Sequence, residues 1–148
     1  MHKTLILLQG MLFAMQAQAF PCFITMVKDS CWTDYNLTVV VTDPATEKAL
    51  ATVNVVQGTS WARAKFDCQP KESLSMQASF TPVFWETDTG KTYAARRNWS
   101  LPETIKKGDT AWNITVCYPK EFAEVPFPPN VGGNCNCDTD TIPPIKPQ

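Results

Sequence analysis

Histidine is almost absent from this chain of 148 residues: the single one is His2, at the extreme N-terminus. Beyond residue 2 there is no imidazole to act as general base or metal ligand. Ser-His-Asp and Cys-His nucleophilic arrangements are excluded there, and so are histidine-based zinc sites. Basic blocks are also missing: 13 Lys and Arg stand against 14 Asp and Glu, spread along the chain. Nothing in that pattern predicts a nucleic-acid or anionic-membrane footprint. A third absence is a long apolar run. The longest, residues 4–15, is too short for the roughly 18 or more residues that cross a bilayer.

That run instead has the order of an export signal. Met1-His2-Lys3 supplies one firm positive charge, residues 4–15 are apolar apart from Gln9 and Gly10, and Ala17-Gln18-Ala19 forms an A-x-A site. The expectation is cleavage before Phe20, with residues 1–19 a secretory signal peptide. Losing Lys3 leaves twelve basic residues against fourteen acidic ones, in a length suited to one domain.

All six cysteines follow that point: Cys22, Cys31, Cys68, Cys117, Cys135 and Cys137. An even count in an exported chain predicts a disulfide framework in an oxidising compartment. Six cysteines allow fifteen pairings; separation along the chain suggests Cys22 with Cys31, and Cys68 with Cys117 across the sheet. Cys135-Asn136-Cys137 has three readings: a tight local bridge, two bonds to distant partners, or a redox or soft-metal site. No C-x-x-C at a helix start and no adjacent basic residue accompany it, so structural bonding is the expectation.

From residue 36 the apolar period is two. Leu37, Val39 and Val41 alternate with polar neighbours, as do Leu74, Met76, Ala78 and Phe80, and again Trp112, Ile114, Val116 and Tyr118. Residues 50–57 and 61–66 are strand-like, and 83–87 and 91–99 flank Asp88-Thr89-Gly90, a hairpin turn signal. These seven short runs predict an all-β sandwich over residues 20–118. Residues 100–107 allow one helical turn, with Pro102 at its first position.

The five tryptophans suit a core, and about three are expected there. The candidates for contact with a partner are Trp32, Trp61, Trp85 and Trp99, since tryptophan anchors many binding surfaces. After Tyr118, residues 119–148 hold seven of the twelve prolines. This stretch predicts an extended arm that lies on a neighbouring subunit, with Val125, Phe127, Ile142 and Ile145 to bury. N-x-[ST] sequons occur at Asn36, Asn98 and Asn113; Asn36 and Asn113 fall in or beside strand runs and read as chance.

No residue pattern marks a catalytic pair, a metal site or a cofactor cradle, so the expectation is a protein that is not an enzyme. The layout resembles the small exported accessory subunits of the Dot/Icm (type IVB) secretion machine's outer-membrane core complex. The likeness is carried by Phe20-Pro21-Cys22-Phe23, by residues 27–32 (Val-Lys-Asp-Ser-Cys-Trp), by the all-β middle and by Asn134-Cys135-Asn136-Cys137. It implies a non-catalytic structural subunit, periplasmic or outer-membrane-associated, in a hetero-oligomer with larger envelope proteins. The competing expectations are a free secreted binding module for carbohydrate, protein or an enzyme, and a redox or metal protein centred on Cys135 and Cys137.

Overall fold

A computed structural model describes residues 19–148. Most of the expected signal peptide, residues 1–18, and with it His2, lies outside the described residues. The described residues form eight strands: β1 (Phe20–Lys28), β2 (Asn36–Thr42), β3 (Ala49–Val55), β4 (Trp61–Cys68), β5 (Ser73–Thr81), β6 (Tyr93–Ala94), β7 (Trp99–Ser100) and β8 (Trp112–Tyr118). They build two sheets, one ordered β4-β1-β8 and the other β3-β2-β5-β6, with β7 also on β5. The all-β, disulfide-stapled sandwich expected from the two-residue period is what the chain adopts.

The alternating strands owe their form to where their odd and even side chains go. Leu37, Val39 and Val41 of β2, Val53 and Val55 of β3, and Leu74, Met76, Ala78 and Phe80 of β5 all point inward and are buried. They meet Ile24 and Met26 of β1, Phe66 of β4, and Val116 and Tyr118 of β8 from the other sheet. Each large aliphatic or aromatic side chain so buried contributes about 1.5–3 kcal/mol.

The first strand escapes the alternation rule. β1 pairs antiparallel with β4 and parallel with β8, so it is the middle strand of its sheet. From Ile24 to Lys28 every residue is buried, on both faces. A strand covered on both sides reads as a continuous apolar run with no period, which is why periodicity alone overlooks it.

Three local expectations need correction. Residues 83–87 are not a strand: the chain turns after Pro82 into a short 3-10 helix, Glu86–Asp88, closed by Asp88 N–H to Trp85 O at 2.9 Å. Residues 91–99 pair as the two-residue strands β6 and β7 and through an isolated bridge of Ala95 to Phe122. Residues 100–107 hold no helical turn, because their backbone is engaged elsewhere. Leu101 N–H donates to Glu72 O and Pro102 O accepts from Lys71 N–H, both at 2.9 Å.

The disulfide expectation is corrected too. The bonds are Cys22–Cys68, Cys31–Cys135 and Cys117–Cys137. Cys22 faces Phe66 in the β1–β4 register and Cys68, opposite Phe20, ends β4, so the first bond ties neighbouring strands of one sheet. Of the three readings for Cys135-Asn136-Cys137, the structure takes the second: each sulfur bonds a distant partner. No described cysteine is free. Three disulfides indicate an oxidising setting, extracellular or periplasmic. Among the described residues no helix is long and apolar enough to cross a membrane.

Candidate functional site

One end of the sandwich gathers the aromatic side chains. Tyr118, buried at the end of β8, lies 4.9 Å from the Trp32 ring, and Trp32 lies 4.8 Å from Phe80. Tyr35 is 5.1 Å from Trp32 and 5.4 Å from Phe84, and Phe84 touches Trp85 at 5.9 Å. The series runs outward from a core tryptophan with 1% of its surface exposed to Trp85 with 59% exposed. Edge-to-face and tilted contacts of this kind are worth about 0.5–1.5 kcal/mol each beyond area burial, so the inner rings hold the outer ones in place.

The loop that carries Trp32 and Tyr35 is tied to the loop between β3 and β4 by a buried cation. Lys28 points inward at the end of β1 with only 2% of its surface exposed. Its ammonium donates to Tyr35 O at 2.7 Å and Val56 O at 3.0 Å, and lies 3.5 Å from Thr33 O. Backbone bonds complete the tie: Lys28 N–H to Ser60 O and Gly58 N–H to Thr33 O, both 2.8 Å. Gly58 has φ of 84°, a conformation that costs glycine little and other residues more. Burial lowers the Lys28 pKa below its ordinary value, opposed by the negative charge of Asp34.

Asp29, next along the chain, is buried as well and accepts Cys31 N–H at 2.9 Å. Its carboxyl is pushed up by burial, with the Cys31 bond pulling the other way. Asp29 and the sulfurs of Cys31 and Cys135 lie within 4.8 Å of one another. Those sulfurs are spent on their mutual bond, so the trio offers one carboxylate and no thiolate to a metal.

The residues expected at a partner surface separate cleanly. Trp32 and Trp99 are core residues at 1% and 6% exposure and present no surface to a partner, a correction imposed by their burial. Trp85 and Phe127 stand out at 59% and 61% exposure. Trp61 is half-buried with the Arg63 guanidinium 5.3 Å from its ring. Val125 packs against the core, and Ile142 and Ile145 are half-buried against the outer face of the β4-β1-β8 sheet. With Trp112 half-buried on the core, three of the five tryptophans serve packing, as expected. Lys28, Tyr35 and Phe84 belong to the aromatic end and are not evident from sequence. The one signal was a lysine inside the apolar run of residues 20–28.

Comparison with protein-family models, with curated proteins and with solved structures finds no match. The reading of this surface therefore rests on its own chemistry.

A second concavity lies on the outer face of the other sheet, a cleft of about 510 Å³. Thr42, Ser75, Gln77, Ser79 and Thr92 give it hydroxyl and amide groups, Glu47 one carboxylate, and no aromatic ring lines it. Asn36 and Asn113 spend their side chains on bonds inside the fold, to Gln57 N–H at 2.8 Å and from Thr25 Oγ1 at 2.8 Å.

Proposed function

We propose that this chain is a non-catalytic interaction subunit of a bacterial envelope assembly, a type IVB secretion core complex being the assembly its sequence resembles. It is exported by a cleaved signal peptide and works in the periplasm or at the outer membrane, in a hetero-oligomer with larger envelope proteins. The observation that carries the reading is Trp85, 59% exposed yet packed on the half-buried Phe84, which in turn packs on the buried aromatic rings behind it. A large side chain held out to solvent by its own scaffold loses little entropy on binding, which is the character of an interface anchor. The chemistry at this end is otherwise inert, since its buried lysine and carboxyl are committed to backbone partners.

The test is affinity capture from envelope extracts after mild crosslinking, comparing wild type with Trp85→Ala. A fixed set of envelope proteins, depleted at least tenfold by W85A, is the expected result. Capture of the same set by both proteins removes the aromatic end from the interface, and a wild type that comes alone removes the subunit reading. A second reading, a free secreted binding module, is favoured by the hydroxyl-lined cleft over β2 and β5. Release of the protein into the medium, with a ligand displaced by Gln77→Ala, would support that alternative.

A further inference from the structure

The C-terminal stretch, expected as an arm for a neighbouring subunit, takes a course on its own chain. Cys31–Cys135 and Cys117–Cys137 clamp it to the sandwich, and Ser30 N–H donates to Asn136 O at 3.1 Å. Cys137 Sγ sits 3.5 Å from the Val27 carbonyl oxygen, so this segment helps bury the outer side of β1. Beyond Cys137 the hold is slight. Residues 138–141, 143, 144 and 146–148 are exposed, and besides the half-buried Ile142 and Ile145 two hydrogen bonds hold the stretch to the sheet: Arg63 Nη2 to Pro143 O at 2.9 Å and Lys65 Nζ to Gln148 Oε1 at 3.1 Å.

The receiving surface carries its own side-chain hydrogen-bond network. Thr25, with none of its surface exposed, accepts Arg63 Nε at 2.7 Å and donates to Asn113 Oδ1 at 2.8 Å. Asn113 Nδ2 in turn donates to Thr115 Oγ1 at 3.1 Å. This relay crosses all three strands and fixes the Arg63 fork before anything binds. Its free arm points at a carbonyl in a trough of about 170 Å³ between Arg63, Asn113, Thr115 and the tail. Ile142-Pro143-Pro144-Ile145 suits such a surface. Two prolines remove the N–H groups that a sheet edge would need, leaving carbonyls for a donor on the sheet face. Ile142 and Ile145 are three residues apart and both half-buried, the spacing of one turn of a proline-type helix.

We propose that the outer face of the β4-β1-β8 sheet is a docking trough for an apolar-Pro-Pro-apolar segment of a partner protein, and that residues 138–148 occupy it in cis as a displaceable placeholder. This surface is separate from the Trp85 end and stands or falls independently of it. Tethered at Cys137, the tail competes at an effective concentration in the millimolar range, so an external segment binds the intact chain weakly.

The experiment titrates a fluorescent peptide of residues 138–148 into two full-length proteins, wild type and I142D/I145D, whose tail is unseated while all six cysteines remain. Binding at least tenfold tighter to I142D/I145D is expected, and adding Arg63→Ala to that variant should return the affinity to the wild-type level. Arg63→Lys, which keeps the charge but loses the fork, should recover less than half of the gain. Equal binding to both proteins, or none to I142D/I145D, overturns the proposal. So does a wild type that sediments as a dimer with exchanged tails, since the occupant would then be a second copy.

Discussion

Replacing Lys28 by Met tests whether the aromatic end is held by a buried charge. Methionine matches the length of the lysine stem and leaves packing largely unchanged, but it donates nothing. Two carbonyls, Tyr35 O and Val56 O, lose bonds of 2.7 and 3.0 Å; the contact to Thr33 O at 3.5 Å is long enough to count for little. A buried acceptor left without a donor costs about 1–3 kcal/mol; that applies to Tyr35 O, whereas Val56 O keeps Thr59 N–H at 3.0 Å and Thr59 Oγ1 at 2.7 Å. Part of this is recovered because the dehydrated ammonium is gone, and a neighbouring hollow lined by Lys28, Ser30 and Ser60 lets water reach the loop. The net loss is therefore set near the low end, about 1 kcal/mol, or about 3–5 °C in Tm for a domain of this size. Thermal unfolding followed by circular dichroism reads the total. Hydrogen exchange locates it, with faster exchange at the amides of residue 28 and Gly58, which donate to Ser60 O and Thr33 O, and little change in β2 or β5. The pH dependence has a fixed sign. Because burial lowers the Lys28 pKa, wild type should gain stability relative to K28M as pH rises through the folded value toward 10.5. A K28M protein as stable as wild type at pH 7, with unchanged exchange at Gly58, would refute the claim that this ammonium organises the two loops.

Other outcomes follow from the same structure. The Tyr118 hydroxyl is buried with no hydrogen-bond partner, so Tyr118→Phe should raise stability by about 1 kcal/mol in denaturant titration; a loss of that size would mean the hydroxyl is satisfied. Burial raises the Asp29 carboxyl above its ordinary 3.8, so its contribution is full below that pH and is lost as pH rises through the folded value. Wild type measured against Asp29→Asn should therefore lose ground as pH rises from 3.8 through the folded value, and a flat difference would contradict the assignment. The Cys31–Cys135 bond spans 104 residues and Cys117–Cys137 spans 20, which the loop-entropy model converts to about 4.7 and 3.3 kcal/mol. C31A/C135A should thus be the less stable of the two double variants by urea titration, and the reverse order would show that strain or residual structure outweighs loop length.

Much of this architecture is written in local pattern. The two-residue alternation of β2, β5 and β8 specifies strands because one face of each must be dry and the other wet, and a one-residue slip would reverse them. The even cysteine count, the missing imidazoles beyond residue 2 and the proline-dense final thirty residues likewise need no structure to be read. What depends on distant partners is hidden. β1 shows no period because the facing sheet covers one side and the C-terminal segment, about 110 residues away along the chain, helps cover the other, with β4 and β8 on its two edges. The cysteine pairing was misjudged from separation alone, since the parallel β1–β8 pairing brings Cys117 and the tail to the same edge as Cys31. Lys28 looks like an interruption in an apolar strand until three carbonyls from two loops close around it. The tryptophans are alike in sequence, and only the packing of the sandwich separates Trp32 at its centre from Trp85 at its rim. Composition and period thus set the class of fold and the compartment, because those are properties of each segment by itself. Which side chains stand free for a partner was decided by tertiary structure, because exposure belongs to the whole surface and to no segment alone.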